Sequence, residues 1–277
     1  MSTKQYTPYQ EVNEILSMLF NGAKEILGRQ FIGMYLYGSL SSGDFDPNSS
    51  DIDFVFITDD NLPEETISKL EALHNQIWSS GLKWAAKLEG AYVPKDLIRR
   101  HDPNGHRCPS VNEGQFYVAR LGSDWIIQRH VIREYGVVLE GVDPKSLIDP
   151  VSPDEIRQSE LGVLDEWWFP MLDHPNWLSD RGSEYHAYAV ITMCRSLHAL
   201  QHGTIVSKPA AAHFYPPGII VHSALREMNA VTIVQIENFI ASEKERAALE
   251  SNTPLNPPTA FLVNPSASAV DLGCATR

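Results

Sequence analysis

Two short segments of the chain carry residue types whose spacing suits phosphate chemistry. Tyr37-Gly38-Ser39 closes an apolar run, and Asp51-Ile52-Asp53-Phe54 follows after an eleven-residue connection. On a strand, alternate side chains share a face, so Asp51 and Asp53 point the same way with Cα atoms about 7 Å apart. With ~5 Å between the charges and an effective dielectric of about 20, the two carboxylates repel by about 3 kcal/mol. A half-buried pair of this kind calls for a counter-charge. A divalent cation supplies one, and Mg²⁺ prefers hard oxygen ligands while keeping waters and phosphate oxygens. Gly38 allows the backbone to come close to a ligand. Ser39, if it opens a short helix, offers N–H groups and a hydroxyl to a phosphate. The spacing describes a phosphate cradle facing a metal-binding carboxylate pair.

The surrounding elements must hold these residues in place. Residues 9–27 set Val12, Ile15, Leu16, Leu19 and Ile26 at helical spacing, and FIGMYLYGS reads as a buried strand. After the turn-rich SSGDFDPNSS, DIDFVFIT reads as a second strand. Residues 64–80 read as a helix with Pro63 near its start and Gly81 beyond its end, and LKWAAKLEGAYV as a third strand halted by Pro94. A helix over 122–135 and a short extended VVLEG complete a region that mixes helices and strands.

Near residue 152 the pattern changes. Pro150 and Pro153 break regular structure, and Ser152 with Glu155 makes a capping box. From there to about 250 the chain reads as helical, over 153–169, 183–202, 208–214 and 218–250. Ser183 can cap the second of these and Gly203 can end it. The expected division is a first domain over 1–152, a helical domain over 153–250, and a tail over 251–277 whose Pro, Ser and Asn content predicts flexibility.

Composition narrows the functional classes. Lys+Arg 22 against Asp+Glu 35 gives a net charge of −13, which disfavours nucleic acid and suits a cationic small molecule. Cys108, Cys194 and Cys274 are far apart, so neither a disulfide framework nor a zinc knuckle is expected. His198 and His202 are spaced i, i+4, but no Glu follows His198, so the zinc-protease pattern fails. The N-terminus has no signal-peptide core, and no apolar run approaches the roughly 20 residues that span a bilayer. A cytoplasmic protein without a membrane partner is the expectation.

The pattern hydrophobic-Gly-Ser, a link of about ten residues, then Asp-hydrophobic-Asp resembles the nucleotidyltransferase superfamily with a polymerase-β-like core. YGSLSSGDFDPNSSDIDFVF and RSLHALQHGTIVSKPAA resemble more closely the aminoglycoside adenylyltransferases of the streptomycin/spectinomycin 3″ type. This resemblance, over about residues 33–215, implies an α+β fold in which a mixed-sheet core precedes a C-terminal α-helical bundle. It implies ATP as co-substrate and Mg²⁺ as cofactor, in transfer of AMP to a hydroxyl of an amine-bearing small molecule; a monomer is expected.

The resemblance also implies roles for single residues. Glu89, which the sequence alone would leave as an exposed strand residue, becomes the general base and a third metal ligand beside Asp51 and Asp53, in a two-metal clamp. Arg195 and Lys208, otherwise a helix-surface charge and a loop charge, become contacts to the nucleotide phosphates. Gly38, Ser39 and Ser50 fall beside the nucleotide. In DHPNWLSDRGSE, Asp173, Asp180 or Glu184 could hold a substrate ammonium, with Asp180 chosen because the family places acidic residues there, and Trp177 either packs the domain junction or receives a sugar face. The family's acidic residue before the loop Trp is Asn176 here, which bears on the identity of the acceptor. Two rival readings stand beside this one. The acceptor could be a lincosamide-like drug, a metabolite or a protein, or the chain could be a non-catalytic nucleotide-binding partner of antitoxin type.

Overall fold

The computed structural model describes residues 5–171 and 183–214. Among them the chain divides into two compact units. One runs to Leu121 and resumes from Arg129 to Pro150; the other takes Gly122–Gln128 and the residues from Val151 onward. The second unit thus includes a short stretch, 122–128, that the expected boundary near 152 assigned to the first.

The first unit is a six-stranded mixed sheet with helices. Its elements are α1 (Gln10–Leu27), β1 (Phe31–Leu36), α2 (Ser39–Ser42), β2 (Ile52–Thr58), α3 (Glu64–Trp78), β3 (Leu88–Pro94) and α4 (Lys95–Arg99). They are followed by β4 (Cys108–Asn112), β5 (Gln115–Ala119), α5 (Asp124–Tyr135), β6 (Val137–Glu140) and α6 (Pro144–Leu147), with α5 beginning in the second unit. The strand order is β5-β4-β3-β2-β1-β6, and β2 and β3 are the parallel neighbours in it.

The periodicity of α1 explains its burial. Val12, Ile15, Leu16, Leu19 and Ala23 recur at helical spacing and are fully buried. They form one core with Leu70, Leu73 and Ile77 of α3 and with Ile52, Phe54, Phe56, Leu88 and Tyr92 of the sheet. Strand alternation turns Asp53, Val55 and Ile57 to the opposite face, together with Glu89, Ala91 and Val93. There α4 packs against β2 and β3, while Arg129 of α5 donates through Nε to the carbonyl of Ile98 at 2.8 Å. Asp53 and Glu89 stand at the starts of their strands, and both remain half-buried.

Two expectations for this unit need correction. The third strand begins at Leu88 and not at Leu82, because Ala85–Lys87 wind into a 3-10 turn behind Trp84. Trp84 is buried against Phe45 at a ring separation of 5.3 Å, and an extended chain could not tuck it there. The hairpin β4–β5 was not anticipated. Its two-residue turn places Glu113 at φ 46° and Gly114 at φ 76°, the pair of positive φ values that a tight hairpin needs.

In the second unit α7 (Pro153–Val163) starts at the expected capping box. Ser152 Oγ accepts from Glu155 N–H at 3.2 Å, and Glu155 Oε2 accepts from Ser152 N–H at 2.8 Å. The helix does not stay α-helical to 169: a π-helical stretch over Leu164–Trp168 leads into α8 (Phe169–Met171). Then come α9 (Ser183–His202) and α10 (Lys208–Phe214), as the spacing predicts. Leu164, Trp168, Val190, Met193, Cys194 and Ala211 share its core. The expected helix over 218–250 and the tail lie outside the described residues. Cys108 and Cys194 are free buried thiols. Among the described residues no helix is long and apolar enough to cross a membrane.

Candidate active site at the starts of β2 and β3

The site begins where β1 ends. Tyr37 N–H donates to the carbonyl of Asp53 at 3.1 Å, tying the exit of β1 to the start of β2. The chain then turns at Gly38, with φ 61° and ψ −141°, a conformation that L side chains rarely adopt. Gly38 accepts from Ser41 N–H and Ser42 N–H, each at 3.1 Å, so Ser39–Ser42 form a single helical turn. Gly43, at φ 81°, ends it. Glycine is required at 38 for a second reason as well: a Cβ there would stand 2.0 Å from Asp53 Oδ2. The Gly-Ser turn and the Asp53 carboxylate are therefore in direct apposition.

The link between them is ordered by Asp46. Its carboxylate accepts from Asn48 N–H at 2.9 Å and from Ser49 Oγ at 2.9 Å. These bonds, the first above all, hold it below the ordinary carboxylate range. Ser50 Oγ accepts from Asp46 N–H at 3.0 Å and closes the loop. The hydroxyl hydrogen of Ser50 can still be donated. Ser50 thereby fixes the approach of the chain to Asp51.

The carboxylates follow from strand register. Asp53 pairs directly with Glu89 across β2 and β3. Register partners on parallel strands share a face, and the strands lie about 4.8 Å apart. Asp51 precedes β2 by one residue, and its Oδ1 is 3.1 Å from Lys87 Nζ, on the residue before β3. Gly38, Ser39, Ser50, Asp51, Asp53 and Glu89 thus meet at one end of the central parallel pair. Sequence reasoning passed over Lys87 and Asp46. The signal for Lys87 was its place one residue before the start of the β3 pairing, across from Asp51.

Arg195 and Lys208 belong to the helical unit. Arg195 Nε donates to the carbonyl of Val206 at 3.0 Å. Lys208 Nζ lies 5.9 Å from the ring centroid of Tyr188. These contacts hold the two basic side chains near the connection between α9 and α10. Asp173, Trp177 and Asp180 lie outside the described residues, and of Glu184 only its place in the first turn of α9 is described. His198 Nε2 is 3.0 Å from Thr204 Oγ1, a contact that ties α9 to the turn after it.

The residues at 51 and 53 suit a hard cation on three grounds. Their donors are carboxylate oxygens. The absence of a side chain at 38 leaves Asp53 Oδ2 room. The Lys87 ammonium already sits on Asp51 as a monovalent cation. Among the described residues, however, no group of three or more Asp, Glu, His or Cys side chains is gathered as a metal ion would need. Asp51 and Asp53 offer two carboxylate donors, and Glu89, the third expected ligand, pairs in register with Asp53. Mg²⁺ commonly completes such a set with waters and phosphate oxygens.

Residues 19–109 match the family model described as "Nucleotidyltransferase domain". That stretch holds Gly38, Ser39, Ser50, Asp51, Asp53 and Glu89, and the match supports an enzyme of the nucleotidyltransferase kind. Among solved structures the chain is similar to spectinomycin adenyltransferase AAD(9) from Enterococcus faecialis, determined with ATP and spectinomycin. The TM-score is 0.60 at 19% identity, with 82% of this chain and 98% of that chain covered. At that identity the likeness establishes the fold alone: an α+β arrangement in which a mixed six-stranded sheet with helices precedes a helical C-terminal region. No curated protein sequence matches the chain.

Proposed function

We propose that this chain transfers AMP from ATP to a hydroxyl of a small amine-bearing acceptor of the aminoglycoside class, with spectinomycin and streptomycin the leading candidates. The observation that carries the reading is the direct pairing of Asp53 with Glu89, with Asp53 pressed against the Gly38 turn. It sets a carboxylate able to take a proton beside one able to hold a cation, next to a backbone turn that admits a phosphate. The antibiotic class rests on the resemblance of residues 33–215 and on the spectinomycin-bound relative sharing the fold.

The steps follow from the side chains. Glu89 accepts the proton of the acceptor hydroxyl as its oxygen bonds to the α-phosphorus. The bond from that phosphorus to the bridging oxygen breaks in line, and pyrophosphate leaves with the electron pair. A positioned carboxylate base is worth about 10²–10⁴ in rate. Asp51 and Asp53 are the residues that would hold Mg²⁺, which supplies charge neutralisation on the phosphates and on the leaving oxygen. Gly38 and Ser39 receive phosphate oxygens through the turn, and Ser50 donates its hydroxyl hydrogen beside them. Arg195 and Lys208 are proposed as further phosphate contacts, while Asp180, Glu184 and Trp177 are proposed to meet the acceptor. The net charge of −13 favours a cationic acceptor over an anionic one.

Pyrophosphate release tests the reading, with ATP, Mg²⁺ and a panel of aminoglycosides, lincosamides and buffer alone. Release with spectinomycin or streptomycin supports it. Release only with another acceptor keeps the chemistry and moves the substrate. Silence across the panel alongside tight ATP binding points to a non-catalytic nucleotide-binding protein.

A further inference from the structure

Lys87 is engaged with one of the two proposed metal ligands. Its Nζ lies 3.1 Å from Asp51 Oδ1. The residue is placed by the fold: Lys87 N–H donates to the carbonyl of Trp84 at 3.0 Å, and Trp84 and Ala85 are buried. Leu88, the next residue, is already paired with Ile52. The register of β2 and β3, extended by one residue, sets Lys87 opposite Asp51. The nearby Lys83 is engaged elsewhere, 3.5 Å from Glu11 Oε2 and 5.0 Å from the Trp84 ring centroid.

On the reading that Asp51 and Asp53 hold a divalent cation, we infer that Lys87 is a built-in competitor for that cation, an ammonium that occupies Asp51 until the metal displaces it. The physical case rests on charge and exposure. Repulsion between Asp51 and Asp53 needs a counter-charge whether or not metal is bound, and an ammonium can supply one positive charge to a single carboxylate. It cannot bridge two carboxylates and a phosphate as a divalent ion can. The side chains of Lys87 and Asp51 are 45% and 39% exposed. Half-exposed pairs are weak and salt-sensitive, so this one can be opened by a cation of twice the charge. A fully buried pair would have locked the site instead. Lys87 accordingly raises the metal concentration needed to load the nucleotide-free protein, and loading is favoured once the nucleotide's negative charge arrives.

The test is a Mn²⁺ titration of nucleotide-free, full-length protein at low ionic strength, following free Mn²⁺ by electron paramagnetic resonance. Lys87→Met and Lys87→Gln should each bind Mn²⁺ about two- to fivefold more tightly than the parent, the size expected for removing a weak competing ion pair. Lys87→Arg should bind as the parent does. Asp51→Asn should weaken binding, and adding Lys87→Met to it should restore little. Equal affinities for the parent and both neutral variants, with Asp51→Asn still weakening binding, would overturn the competitor role and leave the metal reading standing. Mn²⁺ binding that ignores Asp51→Asn would overturn the metal reading, and the competitor with it.

Discussion

Gly38 and Asp53 lie so close that any side chain at position 38 would have to displace the carboxylate: an added Cβ would lie 2.0 Å from Asp53 Oδ2 and 2.6 Å from its carboxyl carbon. The turn at φ 61° independently disfavours any side chain. Gly38→Ala should therefore cost about 2 kcal/mol of stability, within the range for forced backbone strain. A displacement of about 1 Å at the reacting groups should also lower adenylyl transfer by about 10²-fold. Urea denaturation and pyrophosphate release measure the two effects. The contact with Asp53 predicts a coupling: in the double variant with Asp53→Ala the stability losses should sum to less than the two single losses. Strict additivity would show that backbone strain, and not the carboxylate, sets the cost.

Asp53 and Glu89 face each other across a register pair, yet the proposed roles separate them. Asp53→Ala should abolish transfer while leaving the melting transition in place, since the residue is half-buried and outside the apolar core. Glu89→Gln should keep ATP binding, measured by calorimetry, and slow turnover at least ~10²-fold. Near-normal turnover of Glu89→Gln would remove Glu89 as the base.

Much of this site was legible because its logic is local. The interval from Gly38 to Asp53 lies within one strand-turn-strand unit, although Asp51 stands one residue before β2, where alternation no longer fixes its side. The Ser152–Glu155 box is equally local, and it appeared as read. What was missed depends on tertiary burial. Ala85–Lys87 has helix-forming residues next to a strand pattern, and only the pocket for Trp84 decides that the chain winds there before extending. That decision places Lys87 against Asp51. The hairpin after it was different: Asn112-Glu113-Gly114-Gln115 carried a turn signal, but Pro109 inside the first strand obscured it. The π-helical stretch at Leu164–Trp168 keeps the apolar spacing of an ordinary helix, so periodicity could not separate the two.

A histidine in the first unit predicts an acid limit. His74 Nε2 is 2.8 Å from the Tyr92 hydroxyl, and its ring lies between Phe54 at 6.2 Å and Phe116 at 5.6 Å. Burial lowers His74 from 6.5 to about 4. The unfolded chain therefore binds the proton more readily than the folded one between these values. Stability from the neutral histidine is complete above about pH 6.5 and falls as the pH drops toward 4. The maximum loss is about 3 kcal/mol. His74→Gln, which keeps a hydrogen-bonding group toward Tyr92 without titrating, should flatten that part of the profile in urea melts from pH 4 to 7.5. An unchanged slope would assign the acid loss to other groups.

The helical unit offers a test that does not depend on catalysis. Ser152 and Glu155 satisfy each other's backbone donors at the start of α7, and Gly203, just after α9, packs where a Cβ would stand 2.6 Å from Pro153 Cβ. The first turn of α7 is thus held from both sides, by its own cap and by the glycine that ends α9 at φ 64°. Ser152→Ala should cost about 1 kcal/mol, and Ser152→Asp should recover most of it, because aspartate can accept the same N–H. Gly203→Ala should cost at least as much, since it adds positive-φ strain to the collision with Pro153. Amide exchange across 153–163 separates the two causes. Loss of the cap should free the first-turn amides with little effect on α9, whereas Gly203→Ala should also loosen the last turn of α9. If Ser152→Ala left the first-turn amides as protected as before, the capping box would be incidental and the packing of Gly203 alone would hold this end of the helix.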